Sequence, residues 1–294
     1  MNPVATPLVE HFHHAPTGTI TYLVRDPAGR AAAIIDPVLD YDPAAARTST
    51  VSVDAVLARV RGQQLDVQWI LETHAHADHL SAAGYLHDVL GAPVGIGRGI
   101  IAVQRHFSDL FGWGETFAAD GSDFDRLFDD GDCLALGSLQ VQMLATPGHT
   151  VDGMTYCIGD AAFIGDTLFA PASGTARTDF PGGDAAQLHA SIRRLLALPA
   201  QTRLFLCHDY PDEGKPVTTH ATVAEQAVHN VHVGGEVGQQ DFIARRRRRD
   251  SALPVPRLIL PALQVNLRGG RLPPAEDDGV SYLRIPLNRL DAGS

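Results

Sequence analysis

Polar and apolar positions alternate from Thr19 to Asp26 (TITYLVRD), a stretch rich in β-formers, and a short apolar run from Ala31 to Pro37 stops at Asp-Pro. The turn between them (Pro27 to Arg30) holds Gly29, which can take a positive φ, so the pair is expected to form a hairpin. A polar loop follows. The apolar spacing of Val53 to Gln63 then predicts a helix, Asp66 to Thr73 reads as a buried strand, and Asp78 to Gly91 reads as a helix capped by Asp78 and stopped by Gly91. Pro93 to Gly97 predicts a short strand and Ile100 to Leu110 a helix, followed by an aromatic, acidic loop. Cys133 to Thr146 predicts a hairpin about Gly137-Ser138, and Thr155 to Asp166 another about Gly159-Asp160. Asp184 to Leu198 is an amphipathic helix and Arg203 to Tyr210 a buried strand. Helices near Thr222 to His232 and Gln239 to Asp250 precede a Pro-rich tail expected to be extended. Strands come first, then strands mixed with helices. This order predicts an α/β protein in which two mixed sheets pack together with helices outside, a four-layer αββα arrangement. No linker, repeat or low-complexity tract divides residues 1–294, so one domain is expected, with an insertion near 98–132 and a C-terminal extension near 211–294.

Composition narrows the function classes. With 45% hydrophobic and 19% charged residues the chain is globular rather than disordered. No apolar run reaches the roughly 18 residues of a membrane span, and the N-terminus has no signal-peptide pattern. A net charge of -11 argues against a nucleic-acid partner. Three cysteines are too few for a disulfide scaffold and suit a reducing compartment, so a cytoplasmic protein is expected. What stands out is histidine, 14 residues beside 34 acids.

These residues cluster. THAHADH (Thr73 to His79) puts His74, His76, Asp78 and His79 in the loop after a predicted strand, where a rigid sheet can hold a site. Imidazole and carboxylate at this density suit Zn, Fe or Mn, whereas capping a helix requires one residue. His149 in TPGHT, Asp166 in FIGD and His208 in CHDY each follow another predicted strand. Each alone would be a turn; jointly they describe a metal centre.

The order HxHxDH, GH, GD, HDY resembles the metallo-β-lactamase superfamily. That resemblance implies the αββα fold and a site of His74, His76, Asp78, His79, His149, Asp166 and His208. GTARTDFPGG (Gly174 to Gly183) and QVNLRGG (Gln264 to Gly270) resemble segments of its persulfide dioxygenase branch, with Ala176 where that branch has glycine. The branch resemblance implies one Fe(II) per chain held by His74, His149 and Asp166, a 2-His-1-carboxylate face with positions left for a persulfide and O₂. It implies oxidation of glutathione persulfide or a similar small persulfide to sulfite and thiol. His76, Asp78, His79 and His208 would then orient ligands or hold a second metal. The same residues complete a dinuclear set, so a glyoxalase II-like thioester hydrolase with Zn (one or two) is the alternative.

Other residues admit competing roles. Arg177 is a candidate substrate contact or a salt-bridge partner of Asp179. Tyr210 is a candidate catalytic or substrate-binding group, and Arg268 a candidate substrate contact. Asp36 ends a predicted strand, where it serves a turn or bonds a ligand histidine. Cys133, Cys157 and Cys207 fit apolar strand patterns as buried thiols, Cys207 pointing away from His208. His11, His13 and His14 read as surface residues. The run Arg245 to Arg249 reads as a solvated face or an oligomer contact. Phe107, Phe111, Trp113 and Phe117 suit a lid, a homodimer contact or a buried cluster.

Overall fold

In the computed structural model, which describes residues 6–235 and 237–290, the strands are β1 (Leu8–His14), β2 (Thr19–Arg25), β3 (Ala31–Ile35), β4 (Val38–Asp42), β5 (Arg47–Ser49), β6 (Asp66–Leu71), β7 (Leu80–Ser81), β8 (Val94–Gly97), β9 (Arg126–Phe128), β10 (Cys133–Leu136), β11 (Leu139–Ala145), β12 (Met154–Ile158), β13 (Ala161–Phe163), β14 (Arg203–Phe205) and β15 (His220–Thr222). The helices are α1 (Val51–Gly62), α2 (Ala83–Leu90), α3 (Ile100–Phe111), α4 (Ala185–Leu196), α5 (Val223–His229), α6 (Gln239–Asp250) and α7 (Ile259–Asn266).

One sheet has the order β1-β2-β3-β6-β8-β9, the other β10-β11-β12-β13-β14-β15; each mixes parallel and antiparallel pairs. Period-two alternation decides which core a side chain enters. In β2, Ile20, Tyr22 and Val24 face the second sheet, where they meet Val141, Met143, Tyr156 and Phe163. Leu23 and, from β3, Ala32 and Ile34 face outward onto α1, α2, α3 and α7. The outer face of the second sheet is covered by α4, α5 and α6 through Leu188, Ile192, Val223 and Phe242. This is the expected αββα sandwich.

Several local expectations need correction. Asp78 does not cap a helix: the chain makes β7 first, and α2 starts after Ala82 with no side-chain cap. The β2–β3 hairpin forms without a positive φ at Gly29; Asp26 closes the turn instead, accepting the amides of Ala28 and, across the sheets, Ser138. The polar loop after Pro37 holds β4 and β5, which with β7 form a small third sheet. The N-terminal histidines lie on β1, and the tail, expected to be extended, contains α7. Phe107, Phe111, Trp113 and Phe117 are all at most 6% exposed and belong to the core. They form neither a lid nor an exposed contact.

Candidate metal centre

The strand ends converge on one rim of the sandwich. β6 delivers THAHADH, and the loop is pinned from the second sheet. Met154 N donates to Thr73 O at 2.8 Å, Ala75 N to the buried Asp152 carboxylate at 2.7 Å, and Tyr156 Oη to Glu72 O at 2.7 Å. The glycines of the two short motifs have steric reasons. At Gly148 a Cβ would sit 2.2 Å from the Leu188 amide nitrogen, and at Gly165 2.8 Å from Thr73 Oγ1; both have positive φ. His149 and Asp166 are therefore placed by turns that only glycine fits.

The side chains meet as the motif spacing suggested. Ligand atoms of His74, His149 and Asp166 lie within 4.8 Å of one another, and so do those of His76, Asp78 and His79. His208 bridges the two groups, its Nε2 3.3 Å from both an Asp78 and an Asp166 oxygen. His74, His76, His79 and His208 are each at most 5% exposed. His74 Nε2, His76 Nδ1, His79 Nε2, His208 Nε2, Asp78 Oδ2 and Asp166 Oδ1 are nevertheless buried without a hydrogen-bond partner among the described residues. Buried polar atoms are normally satisfied. Six orphaned nitrogens and carboxylate oxygens facing each other are the donor set a metal ion would satisfy, so the residues fit one.

The opposite ring atoms are held by the protein. His149 Nδ1 lies 2.8 Å from the Arg177 carbonyl, His74 Nδ1 3.1 Å from Thr73 Oγ1, and His79 Nδ1 3.1 Å from the Leu80 carbonyl. His76 Nε2 rests 3.1 Å from Asp36 Oδ1 and 3.5 Å from Glu72 Oε2. Such outer contacts fix tautomer and ring orientation. Burial disfavours charge on His76, but Asp36 and Glu72 outweigh it and raise the imidazole to about 10. Burial among other imidazoles lowers His79 to about 3 and holds His74 well below the ordinary value. Glu72, buried beside Asp36, is pushed up to about 8.

Asp36 is thus the hub of the network, in its ligand-bonding role rather than as a plain turn residue. Besides His76 it accepts the Thr73 amide at 2.7 Å and the Thr73 hydroxyl at 2.9 Å, from a backbone held at φ 50°. Glu72, Asp152 and Asn266 were missed by sequence reasoning. Asn266 Nδ2 donates to the carbonyls of His76 at 2.7 Å and His79 at 2.8 Å, while its Oδ1 accepts the Ser81 amide. It lies inside QVNLRGG, the segment in which the sequence pointed to Arg268.

A cavity of about 840 Å³ opens over this centre, lined by Asp78, His149, Asp166, His208 and Tyr210 among others. Tyr210 is 70% exposed and stacks parallel on His208. Arg177 borders the cavity, yet its guanidinium is committed to Asp179 through two 2.6 Å bonds and to Pro254 O; the salt-bridge role is the one observed. Arg268 does not border it. Its guanidinium lies over the Trp113 and Phe117 rings, 4.6 Å from each centroid, so the expected substrate contact is withdrawn. Cys133 is exposed rather than buried. Cys207 lies 3.6 Å from Asp36 Oδ2 and next to the site, because β14 ends at Phe205 and strand alternation no longer governs its direction.

The metallo-β-lactamase superfamily model matches residues 15–208, and the chain belongs to that superfamily. It is 51% identical over 292 residues to a probable metallo-hydrolase of Burkholderia pseudomallei (strain 1710b), covering 96% of this chain and 99% of the relative. It is 44% identical over 284 residues to glyoxylase B2 of Dictyostelium discoideum (96% and 97% covered). It is 30% identical over 255 residues to the mitochondrial persulfide dioxygenase ETHE1 of Homo sapiens (86% and 84% covered). The crystal structure of ETHE1 from Myxococcus xanthus matches with a TM-score of 0.72 at 33% identity, covering 90% of this chain and 100% of that one. Among the described residues no helix is long and apolar enough to cross a membrane.

Proposed function

We propose that the protein is a persulfide dioxygenase that uses one Fe(II) and O₂ to convert glutathione persulfide, or a similar small persulfide, to sulfite and thiol. The observation that carries this reading is the compact His74–His149–Asp166 face, with donor atoms within 4.8 Å and the wide cavity on its open side. An iron ion bound there would supply adjacent open positions for sulfur and dioxygen. The sulfane sulfur gives up four electrons, dioxygen takes four, and water supplies the third oxygen of sulfite.

The chain's own residues prepare that face. The Arg177 carbonyl and Thr73 Oγ1 hold the Nδ1 atoms of His149 and His74, which leaves their Nε2 atoms for the metal. Asn266 of QVNLRGG ties the C-terminal element to the loop of His76 and His79, which supports the dioxygenase reading. Tyr210 stands at the entrance, where its hydroxyl can donate to the substrate sulfur.

A second reading, a dinuclear metallo-hydrolase of the glyoxalase type, is favoured by the second group His76, Asp78 and His79 and by two relatives named metallo-hydrolase and glyoxylase. Product analysis separates the two. Iron-loaded protein given glutathione persulfide in air should form sulfite and should leave S-lactoylglutathione intact. Thioester cleavage without sulfite would overturn the dioxygenase.

A further inference from the structure

The run Arg245–Arg249 is not one surface. Successive helical residues point about 100° apart, whereas residues three or four apart share a face. In α6 this divides the run. Arg245 and Arg248 line a separate shallow groove with Val237, Asp241 and Ala244. Arg246, Arg247 and Arg249 lie in the wall of the cavity above the candidate metal centre.

Most charges of that wall are already answered. Arg246 is buried and closes on Asp250 at 2.6 Å and on Thr175 O at 3.0 Å. Arg177 is closed by Asp179. Asp209 accepts the Thr218 amide, Asp184 caps α4 through the Gln187 amide, and Asp78 and Asp166 belong to the centre. Arg247 and Arg249 flank Arg246 on the helix surface and are exposed, and their guanidiniums make no ion pair or hydrogen bond among the described residues. Two open guanidiniums therefore sit at the mouth of a cavity of about 840 Å³ in a chain of net charge -11. That volume suits a ligand of tripeptide size. Phe169, Phe180, Ile259 and Leu290 give the cavity an apolar wall as well.

We propose that Arg247 and Arg249 bind the carboxylate of the substrate's thiol carrier, remote from its sulfur, and so select acidic small thiols. Guanidinium matches a carboxylate with paired hydrogen bonds, and the apolar wall accommodates the stem between charge and sulfur. The inference rests on the dioxygenase reading for the reaction, but its binding step can be measured without turnover.

The experiment uses the metal-loaded full chain in two arms. Calorimetry compares glutathione with its diethyl ester. The wild type should prefer the free acid; Arg247→Gln with Arg249→Gln should weaken glutathione by about 10- to 100-fold and erase the preference, as expected for lost charge-assisted bonds. Arg245→Gln with Arg248→Gln, from the other groove, should leave both affinities unchanged. In the second arm, oxygen uptake should show the KM for glutathione persulfide rising by a similar factor in the first double variant, with kcat within about twofold. A wild type without preference for the free acid, or a preference that survives in that variant, overturns the proposal. Oxygen uptake with unchanged KM would do the same and leave the dioxygenase standing. Loss of glutathione binding in a protein that consumes no oxygen would overturn the dioxygenase and leave the carboxylate site standing.

Discussion

At the floor of the cavity each candidate ligand imidazole of the HxHxDH and GH motifs has one nitrogen held and one left open. Thr73, Arg177, Leu80 and the Asp36–Glu72 pair hold the far sides of His74, His149, His79 and His76. At the mouth, Arg247 and Arg249 are exposed, and among the described residues nothing holds their guanidiniums. The floor is preorganised: its cost is met by the sheet, the glycine turns and Asn266, and its geometry is set before a metal arrives. The mouth keeps its rotamer freedom until a ligand orders it, which suits selection among substrates more than chemistry. Activity should thus be lost at the floor and specificity at the mouth.

The largest effect is expected from the floor. His149→Ala or Asp166→Ala should lower sulfite formation by more than about a hundredfold, beyond what outer contacts cost, and should release the metal on dialysis. Retained metal and activity in either variant would break the contrast. The wall between the two regions is tested next. Arg246→Ala leaves Asp250 buried without its partner, both side chains being at most 5% exposed, and should lose about 3–5 kcal/mol in urea unfolding. Arg248→Ala, two residues from each member of that pair but on the opposite, exposed face of α6, should stay within about 0.5 kcal/mol.

A finer test concerns Asp36. Asn tolerates a positive φ and keeps one acceptor for Thr73, so Asp36→Asn removes charge with little change of shape. Metal affinity, read by competition with a chelator, should fall about 10- to 100-fold. The smallest effects separate the two members of QVNLRGG. Asn266→Ala strands buried groups on the metal loop and should lose about 1–3 kcal/mol together with slower metal retention. Arg268→Gln gives up its cation–π contacts with Trp113 and Phe117, about 0.5–2 kcal/mol, and should leave KM unchanged.

The same contrast explains what could be read from the sequence. THAHADH, Gly148-His149 and Gly165-Asp166 are local: each residue type is demanded by its own turn or strand end, so motif spacing suffices to find them. Alternation in β2 and β3 likewise decides which core each side chain enters. Asp36, Glu72 and Asp152 carry no motif, since their partners lie 37, 9 and 77 residues away. The sequence leaves Arg177 open between a substrate and Asp179, and it gives no sign that Arg268 lies over Trp113 and Phe117, because a guanidinium's partner is chosen by packing. The arginine run was read as one face because the place of α6 against the second sheet is a tertiary fact. Asp78 was read as a cap because a two-residue strand before α2 leaves no period to detect.

The central claim is a mononuclear iron centre that consumes oxygen, and one paired measurement reaches it most directly. Protein produced without added zinc should contain one iron per chain and should draw oxygen from solution in a 1:1 ratio with sulfite formed when glutathione persulfide is added. Two zinc ions per chain, with thioester cleavage and no oxygen uptake, would contradict the account.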